Sequence, residues 1–353
     1  MEQWYLDNLV CPVDKTPLEY KDGELISPSG RKYPVVEGVP VMLVDNIEQT
    51  MSLVTASLER AKNNPDIIDA RVENLYLESL GISEEEKKGV IQLAANNELS
   101  IDSVVSFIIA ATNGNAYIEL LGKVKEYPIP DLRLPDGNGE LLLDIGCNWG
   151  RWSIAASKKG YTVVGIDPSL GAVMAAKRVA NQLGLPIKHV VGDARHLPFQ
   201  SELFDYVFSY SVIQHFRKDN ANKAICEIGR VLDSDGISLI QMPNYLGIRS
   251  LQHQLKRRFR EEINFEVRYW SISELKNVFS KSIGDTDISV DCYFGLGLQK
   301  SDMKYMSPKI KIIIGASEVL RYVSTLLPFM KYVADSLYVK SQKTYNKANQ
   351  AGR

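Results

Sequence analysis

The sequence predicts an α/β protein built on a parallel β-sheet, preceded by a small β-rich module and a helical region. Three observations support this prediction. Short β-like runs separated by prolines fill residues 1–45, and apolar residues recur with helical spacing over 46–127. From about residue 128 onward, short apolar runs alternate with helical stretches, as the strands and crossover helices of a parallel sheet require.

The bulk composition is typical of a folded, soluble protein. The chain has 353 residues, of which 45% are hydrophobic and 24% charged, so we expect more than one compact unit. A net charge of -2 argues against wholesale binding of nucleic acid, which usually requires a strongly basic domain. The cysteines form no C-x-x-C pair, and neither a leader sequence nor a long apolar segment is found, so we expect a cytoplasmic protein.

Four regions follow one another along the chain. Residues 1–45 form the β-rich module, and 46–127 form a predicted helical lid or linker. A linker rich in Pro, Gly and Asp then opens the main α/β unit, which we predict over 128–345, with a short tail at 346–353. The β-like runs of the first module are 23–26, 32–36 and 39–44.

The main unit alternates predicted strands with predicted helices. The strands are 141–145, 161–166, 187–191, 205–210 and 236–241, with two later β-like runs at 286–293 and 336–341. The helices are 150–159, 169–183, 219–232, 247–260 and 272–280. A helical insertion at about 302–334, with its apolar residues at 308–333, separates the last two strands.

A glycine-containing turn lies at the carboxyl end of the first strand of this unit, where residues 141–150 read LLLDIGCNWG. Ligands bind at this edge of open α/β sheets. Gly146 and Gly150 allow backbone angles and a close approach that a side chain would obstruct. The helix that follows offers free N–H groups and a positive dipole end to an anionic part of a ligand, and Arg151 adds a formal charge.

Two further acids end neighbouring strands at the same edge. Asp167 lies about twenty residues after the glycine turn, the position from which a carboxylate binds ribose hydroxyls. Asp193 can accept a hydrogen bond from an exocyclic amino group, while the Ala194 amide donates to a ring nitrogen. These positions predict a nucleoside cofactor. A dinucleotide is disfavoured because the turn reads G-C-N-W-G, contains bulky Trp149 and lacks the G-x-G-x-x-G pattern.

Residues 140–245 resemble class I methyltransferases. The segments LLLDIGCNWG, VVGIDPS, GDARHLPF, FDYVFSYSVIQHF and EIGRVLDSDG occur in the order and spacing of that family. The resemblance implies a Rossmann-like sheet of seven mostly parallel strands, with one antiparallel strand near the edge supplied by 336–341. It implies S-adenosylmethionine as cofactor and S-adenosylhomocysteine as product. In the family pattern Asp144 braces the turn, Asp167 binds ribose and Asp193 faces adenine.

The resemblance also defines the residues expected around the cofactor. They are Asp144, Gly146, Cys147, Asn148, Gly150, Arg151, Asp167, Pro168, Ser169, Asp193, Ala194, Tyr210 and Gln214. Asn148 stands where the family usually has a middle glycine, so the turn departs from the family pattern at that position.

Residues 1–45 resemble the short zinc-ribbon-like activator subunits that partner tRNA and protein methyltransferases. The resemblance rests on LVCPVD at 9–14 and GVPV at 38–41. Those subunits carry cysteine pairs, whereas this chain has Cys11 and no second pair downstream. One thiolate does not make a tetrahedral zinc site, so we expect a metal-free module with a packing or lid role. A retained activator role is the alternative.

His215 is the candidate catalytic residue. Methyl transfer to a hydroxyl requires removal of a proton, and a histidine after the fourth strand should face the reacting end of the cofactor. The alternative is that His215 only shapes the cleft through hydrogen bonds. The acceptor-binding candidates are Asn244, Tyr245, Arg249 and Arg268, for which surface and capping roles are the alternative.

The expected acceptor is a hydroxyl of a saccharide or another small molecule. Amino-directed methyltransferases usually carry Asn/Asp-Pro-Pro-Tyr after the fourth strand, and this chain has a histidine-containing segment there. One alternative is an RNA methyltransferase with a fused activator, favoured only by the basic run at 256–260; another is a cofactor-binding scaffold without turnover. The apolar insertion at 308–333 is open to core packing, a homodimer face or contact with a membrane surface.

Overall fold

A computed structural model of the chain describes residues 1–45, 53–63, 74–96, 100–295 and 297–344. The predicted tail at 346–353 and parts of the predicted helical region at 46–127 lie outside the described residues.

The structure contains two β-sheets and the helices that pack on them. The strands are β1 (Glu19–Lys21), β2 (Glu24–Ile26), β3 (Lys32–Val36), β4 (Val39–Pro40), β5 (Leu141–Ile145), β6 (Thr162–Asp167), β7 (Lys188–Val191), β8 (Phe204–Ser209), β9 (Leu232–Pro243), β10 (Gly284–Cys292) and β11 (Ser336–Lys343). The α-helices are α1 (Gln3–Asn8), α2 (Leu53–Lys62), α3 (Glu84–Asn96), α4 (Ser103–Asn113), α5 (Arg151–Lys158), α6 (Leu170–Gln182), α7 (Lys218–Val231), α8 (Ile248–Lys256), α9 (Ile272–Ser282) and α10 (Pro308–Leu326). Short 3-10 turns connect several of them.

The larger sheet has seven strands in the order β10-β11-β9-β8-β5-β6-β7. Strands β5 to β9 pair in parallel, whereas β11 runs antiparallel to both of its neighbours, β9 and β10. The prediction of a seven-stranded, mostly parallel sheet is confirmed, and β11 is its antiparallel strand, second from the edge. This order places the carboxyl ends of β5, β6, β7 and β8 side by side.

Helices cover both faces of this sheet, so the central strands have no solvent-facing side. In β5, Leu142, Leu143 and Ile145 are all buried, as expected for a strand covered on both faces. The helices contribute one apolar stripe each; on α7, Ile225 and Ile228 are buried with helical spacing.

The N-terminal module is a four-stranded antiparallel sheet in the order β1-β2-β3-β4. It continues the edge of the main sheet, because Val41 pairs in parallel with Val191 and the Met42 N–H donates to the Val191 carbonyl at 2.7 Å. On the other side, Leu9 bridges Phe199. The module therefore covers β7, whose unpaired backbone groups would otherwise be exposed. Helix α1 and strand β1 were not among the predicted elements.

The helices before the main unit are attached to it through polar contacts. The Asp102 carboxylate caps α4 by accepting hydrogen bonds from the Val104 and Val105 N–H groups, at 2.9 and 3.2 Å. The same carboxylate pairs with Arg178 of α6 at 2.6 Å. Because Asp102 both caps α4 and pairs with α6 of the main unit, it determines where α4 lies over the sheet.

We predict that Asp102→Ala lowers the free energy of unfolding by about 2 kcal/mol, since it removes a helix cap and a mostly buried ion pair. Chemical denaturation followed by circular dichroism measures this loss. Glu84→Ala is the matched control, because Glu84 forms an exposed pair with Lys87 and its removal should leave the unfolding free energy almost unchanged. Equal losses in the two variants would contradict the role assigned to Asp102.

Candidate active site

A cavity of about 220 Å³ opens at the carboxyl ends of β5, β6, β7 and β8. This is far more than the roughly 10 to 15 Å³ that one water requires, so the cavity can hold a ligand. The predicted residues that line it are Gly146, Cys147, Asn148, Arg151, Asp167, Pro168, Asp193, Ala194, Tyr210 and His215. The topology thus brings four strand ends and most of the predicted site together.

The glycine turn contains three left-handed residues, Gly146, Asn148 and Gly150. Gly146 has a φ of +74°, and a Cβ atom there would lie 2.1 Å from a methyl carbon of Val212, so only glycine fits. Asn148 has a φ of +46°, a conformation that asparagine tolerates better than most residues. Its Oδ1 accepts the Trp149 N–H at 2.8 Å. Asparagine therefore preserves the turn at the position where the family usually has glycine.

The Asp167 carboxyl lies at the floor of the cavity and is 8% exposed. Its oxygens accept hydrogen bonds from the Asn148 N–H at 3.1 Å and the Ser169 N–H at 2.9 Å. Each carboxylate oxygen can accept a second hydrogen bond, so two acceptor positions remain. Burial raises the pKa of Asp167 to about 6.

Asp144 does not line the cavity. Its Oδ2 accepts the Ser153 hydroxyl at 2.6 Å, which joins the end of β5 to the first turn of α5 behind the glycine turn. Burial raises the pKa of this carboxyl to about 7.

Arg151, at the start of α5, is 3% exposed and lines the cavity. Its Nη2 pairs with Asp302 Oδ1 at 2.9 Å, and the Tyr117 hydroxyl donates to the same oxygen at 2.6 Å. The Arg151 Nε has no hydrogen-bond partner among the described residues, although it is fully buried. An unpaired buried donor is costly, so this N–H is available to an anionic ligand group.

Asp193 lies in the cavity wall but is not free. Its carboxylate pairs with the Arg195 guanidinium at 2.6 Å and accepts the Arg195 N–H at 2.8 Å. Both side chains are buried, and Arg195 also lies over the Phe216 ring. Sequence reasoning missed Arg195, although it stands only two residues after the predicted acid.

His215 lies at the edge of the cavity with one ring nitrogen engaged. Its Nδ1 is 2.8 Å from the Phe265 carbonyl oxygen, so Nδ1 carries the proton and Nε2 keeps its lone pair. The Gln214 amide nitrogen, 3.3 Å from Nε2, is placed to donate to that lone pair. The rings of His215 and Phe265 stack at 3.7 Å. Burial lowers the pKa of His215 to about 4, so the imidazole is neutral at pH 7.

Three other residues predicted around the cofactor lie behind the cavity wall. Gly150 packs against Ala176 of α6, and the Gln214 side chain also donates to the Ser211 hydroxyl at 2.6 Å. Ser169 caps α6 and donates its own proton to the Ser79 carbonyl at 2.6 Å.

The predicted acceptor-binding residues lie outside the cavity. The Asn244 amide donates to the carbonyls of Tyr332 and Ala334, and the Arg268 guanidinium donates to the His215 and Glu266 carbonyls. These two buried side chains hold loops together. Tyr245 and Arg249 are exposed on the segment that begins α8.

Part of the cavity wall is formed by residues that were not identified from the sequence. They are Leu53 and Val54 of α2, Ala111 and Thr112 of α4, and the aromatic residues Trp152, Phe216 and Phe265. The Trp149 indole N–H donates to the Thr112 hydroxyl at 2.8 Å, which locks α4 onto the glycine turn. No local signal marks these residues, because their roles depend on contacts between distant parts of the chain.

Within the ranges that the structure describes, no group of three or more His, Cys, Asp or Glu side chains converges as a metal site would require. In the N-terminal module, the Cys11 thiol is buried and contacts the Tyr33 hydroxyl at 3.2 Å.

Residues 143–240 match the family described as a methyltransferase domain. The matched segment runs from β5 to β9 and contains the glycine turn and the acids of the cavity. This match supports a methyltransferase domain over that segment of the chain.

Other known proteins are similar to parts of this chain. A ubiquinone biosynthesis O-methyltransferase of Azorhizobium caulinodans is 28% identical over 106 residues, covering 30% of this chain and 41% of that protein. An uncharacterized protein of Methanocaldococcus jannaschii is 30% identical over 159 residues, covering 44% of this chain and 56% of that protein. A solved methyltransferase of Methanosarcina mazei is 17% identical with a TM-score of 0.42, covering 60% of this chain and 95% of that one. The chain spans less than two thirds of the two curated relatives named.

S-adenosylmethionine is the cofactor of this methyltransferase class, and the cavity fits it. Asp167 would supply acceptors for the ribose hydroxyls, and the unpartnered Arg151 Nε would supply a donor for the carboxylate of the methionine part. The bare backbone at Gly146 allows the cofactor to approach the turn closely.

We predict that Asp167→Asn weakens binding of S-adenosylhomocysteine by roughly a hundredfold. Replacing the carboxylate weakens charge-assisted hydrogen bonds worth about 3 kcal/mol together. Calorimetric titration measures the affinity. Asp205→Asn is the control, because Asp205 accepts the Leu141 N–H at the opposite edge of the sheet and its loss should leave the affinity unchanged.

The pH dependence of this affinity gives the second readout. Hydroxyl donors favour the ionised carboxylate, and burial raises the pKa of Asp167 to about 6, so affinity should fall as the pH drops through 6. Asp167→Asn should abolish this fall. An unchanged fall in the variant would assign the titration to another group.

Proposed function

We propose that this protein transfers a methyl group from S-adenosylmethionine to a hydroxyl oxygen of a small molecule, with His215 as the general base. The observation that carries the proposal is the hydrogen bond from His215 Nδ1 to the Phe265 carbonyl, at 2.8 Å. It leaves the lone pair on Nε2 of a residue that lines the cavity. When bound, S-adenosylmethionine supplies an electrophilic methyl group on a positively charged sulfur.

His215 would take up the proton that the acceptor hydroxyl loses as its oxygen bonds to the methyl carbon. The bond between that carbon and sulfur breaks in the same step, which leaves S-adenosylhomocysteine. Phe265 keeps the imidazole in one tautomer and one orientation, while the acceptor hydroxyl would replace the Gln214 amide at Nε2 and Gln214 would keep its hydrogen bond to the Ser211 hydroxyl. Stacking on Phe265 also shields the ring from water.

The lowered pKa of His215 favours an acidic hydroxyl. A base with a pKa near 4 is ready to accept a proton at pH 7 but is weak, and proton transfer becomes more favourable as the donor becomes more acidic. Phenolic hydroxyls, with a pKa of about 10, are far more acidic than the hydroxyls of sugars. A phenolic acceptor therefore suits this base better than a saccharide.

The walls of the cavity favour the same acceptor class. Leu53, Val54 and Ala111 of α2 and α4 line the cavity together with the aromatic rings of Phe216 and Phe265. Apolar walls of this kind bind an apolar or aromatic body, whereas a saccharide needs many polar partners. The names of relatives such as the Azorhizobium caulinodans O-methyltransferase agree with transfer to oxygen.

The RNA alternative is less well supported by the surface charges. In the basic run at 256–260, Arg257 pairs with Glu262 at 2.9 Å and Arg260 pairs with Glu266 at 2.6 Å. Two of its charges are thus already partly neutralised, and the apolar cavity walls offer little to a phosphate backbone.

We predict methyl incorporation into alkyl-substituted phenols at a rate at least tenfold above that into saccharides or tRNA. The reason is the combination of a weak base with an apolar cavity. A tritiated methyl donor and a panel of the three acceptor classes measure the rates. Labelling confined to saccharides or tRNA would refute the phenolic acceptor.

We predict that His215→Asn lowers kcat by 10² to 10⁴-fold and changes affinity for S-adenosylhomocysteine less than threefold. The asparagine amide can keep the hydrogen bond to the Phe265 carbonyl, so the substitution removes mainly the base. Single-turnover kinetics at saturating cofactor measure kcat. Since burial lowers the pKa of His215 to about 4, the wild-type rate should stay constant down to about pH 5 and fall below it. Full turnover by the variant would rule out the base.

A further inference from the structure

Helix α10 and the 3-10 turn after it expose a continuous set of apolar side chains. On the helix these are Ile312, Val319, Tyr322 and Leu326, and on the turn Phe329, Tyr332 and Val333, each between 46% and 73% exposed. Their spacing of three, four and seven residues places the helical ones on one face. The opposite face packs inward through Ile314 and Ser317. The exposed face therefore has no partner among the described residues.

A second apolar face adjoins the first. Ile248, Leu255 and Phe259 follow one side of α8 and its end, and they are 52%, 62% and 53% exposed. Ile263 and Phe265 continue the face in the next loop, at 57% and 48% exposed. Scattered single apolar residues are normal on protein surfaces, but a contiguous set of this kind usually marks an interaction site.

The two faces are held next to each other by buried polar contacts. The Asp335 carboxylate accepts the N–H groups of Arg249 and Ser250 at the start of α8, at 2.6 and 3.0 Å. The Asn244 amide donates to the carbonyls of Lys331 and Tyr332. We call the exposed apolar and basic residues of 248–265 and 309–333 together the apolar-basic surface.

This surface is positively charged in a chain of net charge -2. The stretches 248–265 and 309–333 contain nine Lys and Arg and only three Asp and Glu. Lys256, Arg258 and Lys311 are exposed, and none of the three has an ion-pair partner in the described part of the chain. Exposed apolar side chains interspersed with free cations complement the interfacial region of an anionic bilayer.

We propose that the apolar-basic surface docks this protein peripherally on an anionic lipid bilayer. In the described residues, no helix combines the length and apolar character that crossing a bilayer requires, so the contact lies in the interface. The apolar side chains enter the headgroup boundary, and the lysines and arginines bind lipid phosphates.

Phe265 connects this surface to the cavity. It is 48% exposed, lines the cavity and stacks on His215 at 3.7 Å. A hydroxyl acceptor dissolved in the bilayer would therefore reach the base past Phe265 without crossing water. This delivery route rests on the proposed function, whereas docking itself does not.

Vesicle sedimentation of the full chain tests the docking. The probes are vesicles of phosphatidylcholine alone and of phosphatidylcholine with phosphatidylglycerol, without cofactor or acceptor. We expect binding to the anionic vesicles and at least tenfold weaker partitioning for Lys256→Glu/Arg258→Glu, since each cation near the surface contributes about fivefold. Leu255→Ser/Phe259→Ser should weaken it similarly, and affinity for S-adenosylhomocysteine should stay unchanged in all variants.

Two control variants test whether the loss of vesicle binding is specific to the apolar-basic surface. Lys276→Glu/Lys281→Glu changes two exposed lysines on α9, and Ile91→Ser/Ile118→Ser removes two exposed isoleucines elsewhere; both should bind vesicles like the wild type. Equal binding to neutral and anionic vesicles, or equal losses in the controls, would overturn the proposal. Two other results would also overturn the proposal. One is a dimer, seen by light scattering, that dissociates only in the surface variants. The other is a complex with tRNA that only the surface variants fail to form. Failure of phenol methylation leaves vesicle binding unaffected, so the two proposals fail separately.

Discussion

The buried carboxyl of Asp167 is the constraint on which the site depends. It accepts N–H groups from Asn148 in the glycine turn and from Ser169 at the start of α6, which joins two consecutive strand-helix units. The Ile166 carbonyl reinforces this junction by accepting the N–H groups of Gly146 and Cys147. Burying a carboxylate costs desolvation free energy. Ligand hydroxyls that donate hydrogen bonds to Asp167 offset part of this cost. Stability and cofactor binding thus share one group.

Trp149 and Arg151, in and just after the same turn, determine which distant segments pack over it. Trp149 is fully buried and holds Thr112 of α4, while Arg151 holds Asp302 in the segment before α10. Regions far before and far after the strands in sequence therefore converge on one cavity. The strand ends that form the cavity lie within the matched residues 143–240, whereas Thr112 and Asp302 lie outside them, so the two parts of the site come from different regions of the chain.

The strands and helices of the main unit could be predicted closely because their signals are local. Apolar runs ending in an acid or a glycine locate β5, β6 and β7 to within one residue of the predicted bounds. Other features carry no such signal. Helix α1 and strand β1 are short, and β9 starts directly after α7, earlier than its apolar pattern suggests. A polar residue at a strand end can either hydrogen-bond a nearby loop or contact a ligand. Asn244 hydrogen-bonds a loop, and its residue type alone did not distinguish these two roles.

The sequence by itself determined the fold class and the cofactor edge, because each acid and the glycine turn lie within one strand-turn-helix segment and need only the sheet to align them. Tertiary structure alone decided that Arg195 pairs with Asp193, that the Phe265 carbonyl bonds Nδ1 of His215 and that α2 and α4 contribute apolar side chains to the cavity wall. The physical reason is that desolvation, hydrogen-bond partners and cavity walls depend on which distant segments pack together. None of these is encoded in the spacing of residues along the chain.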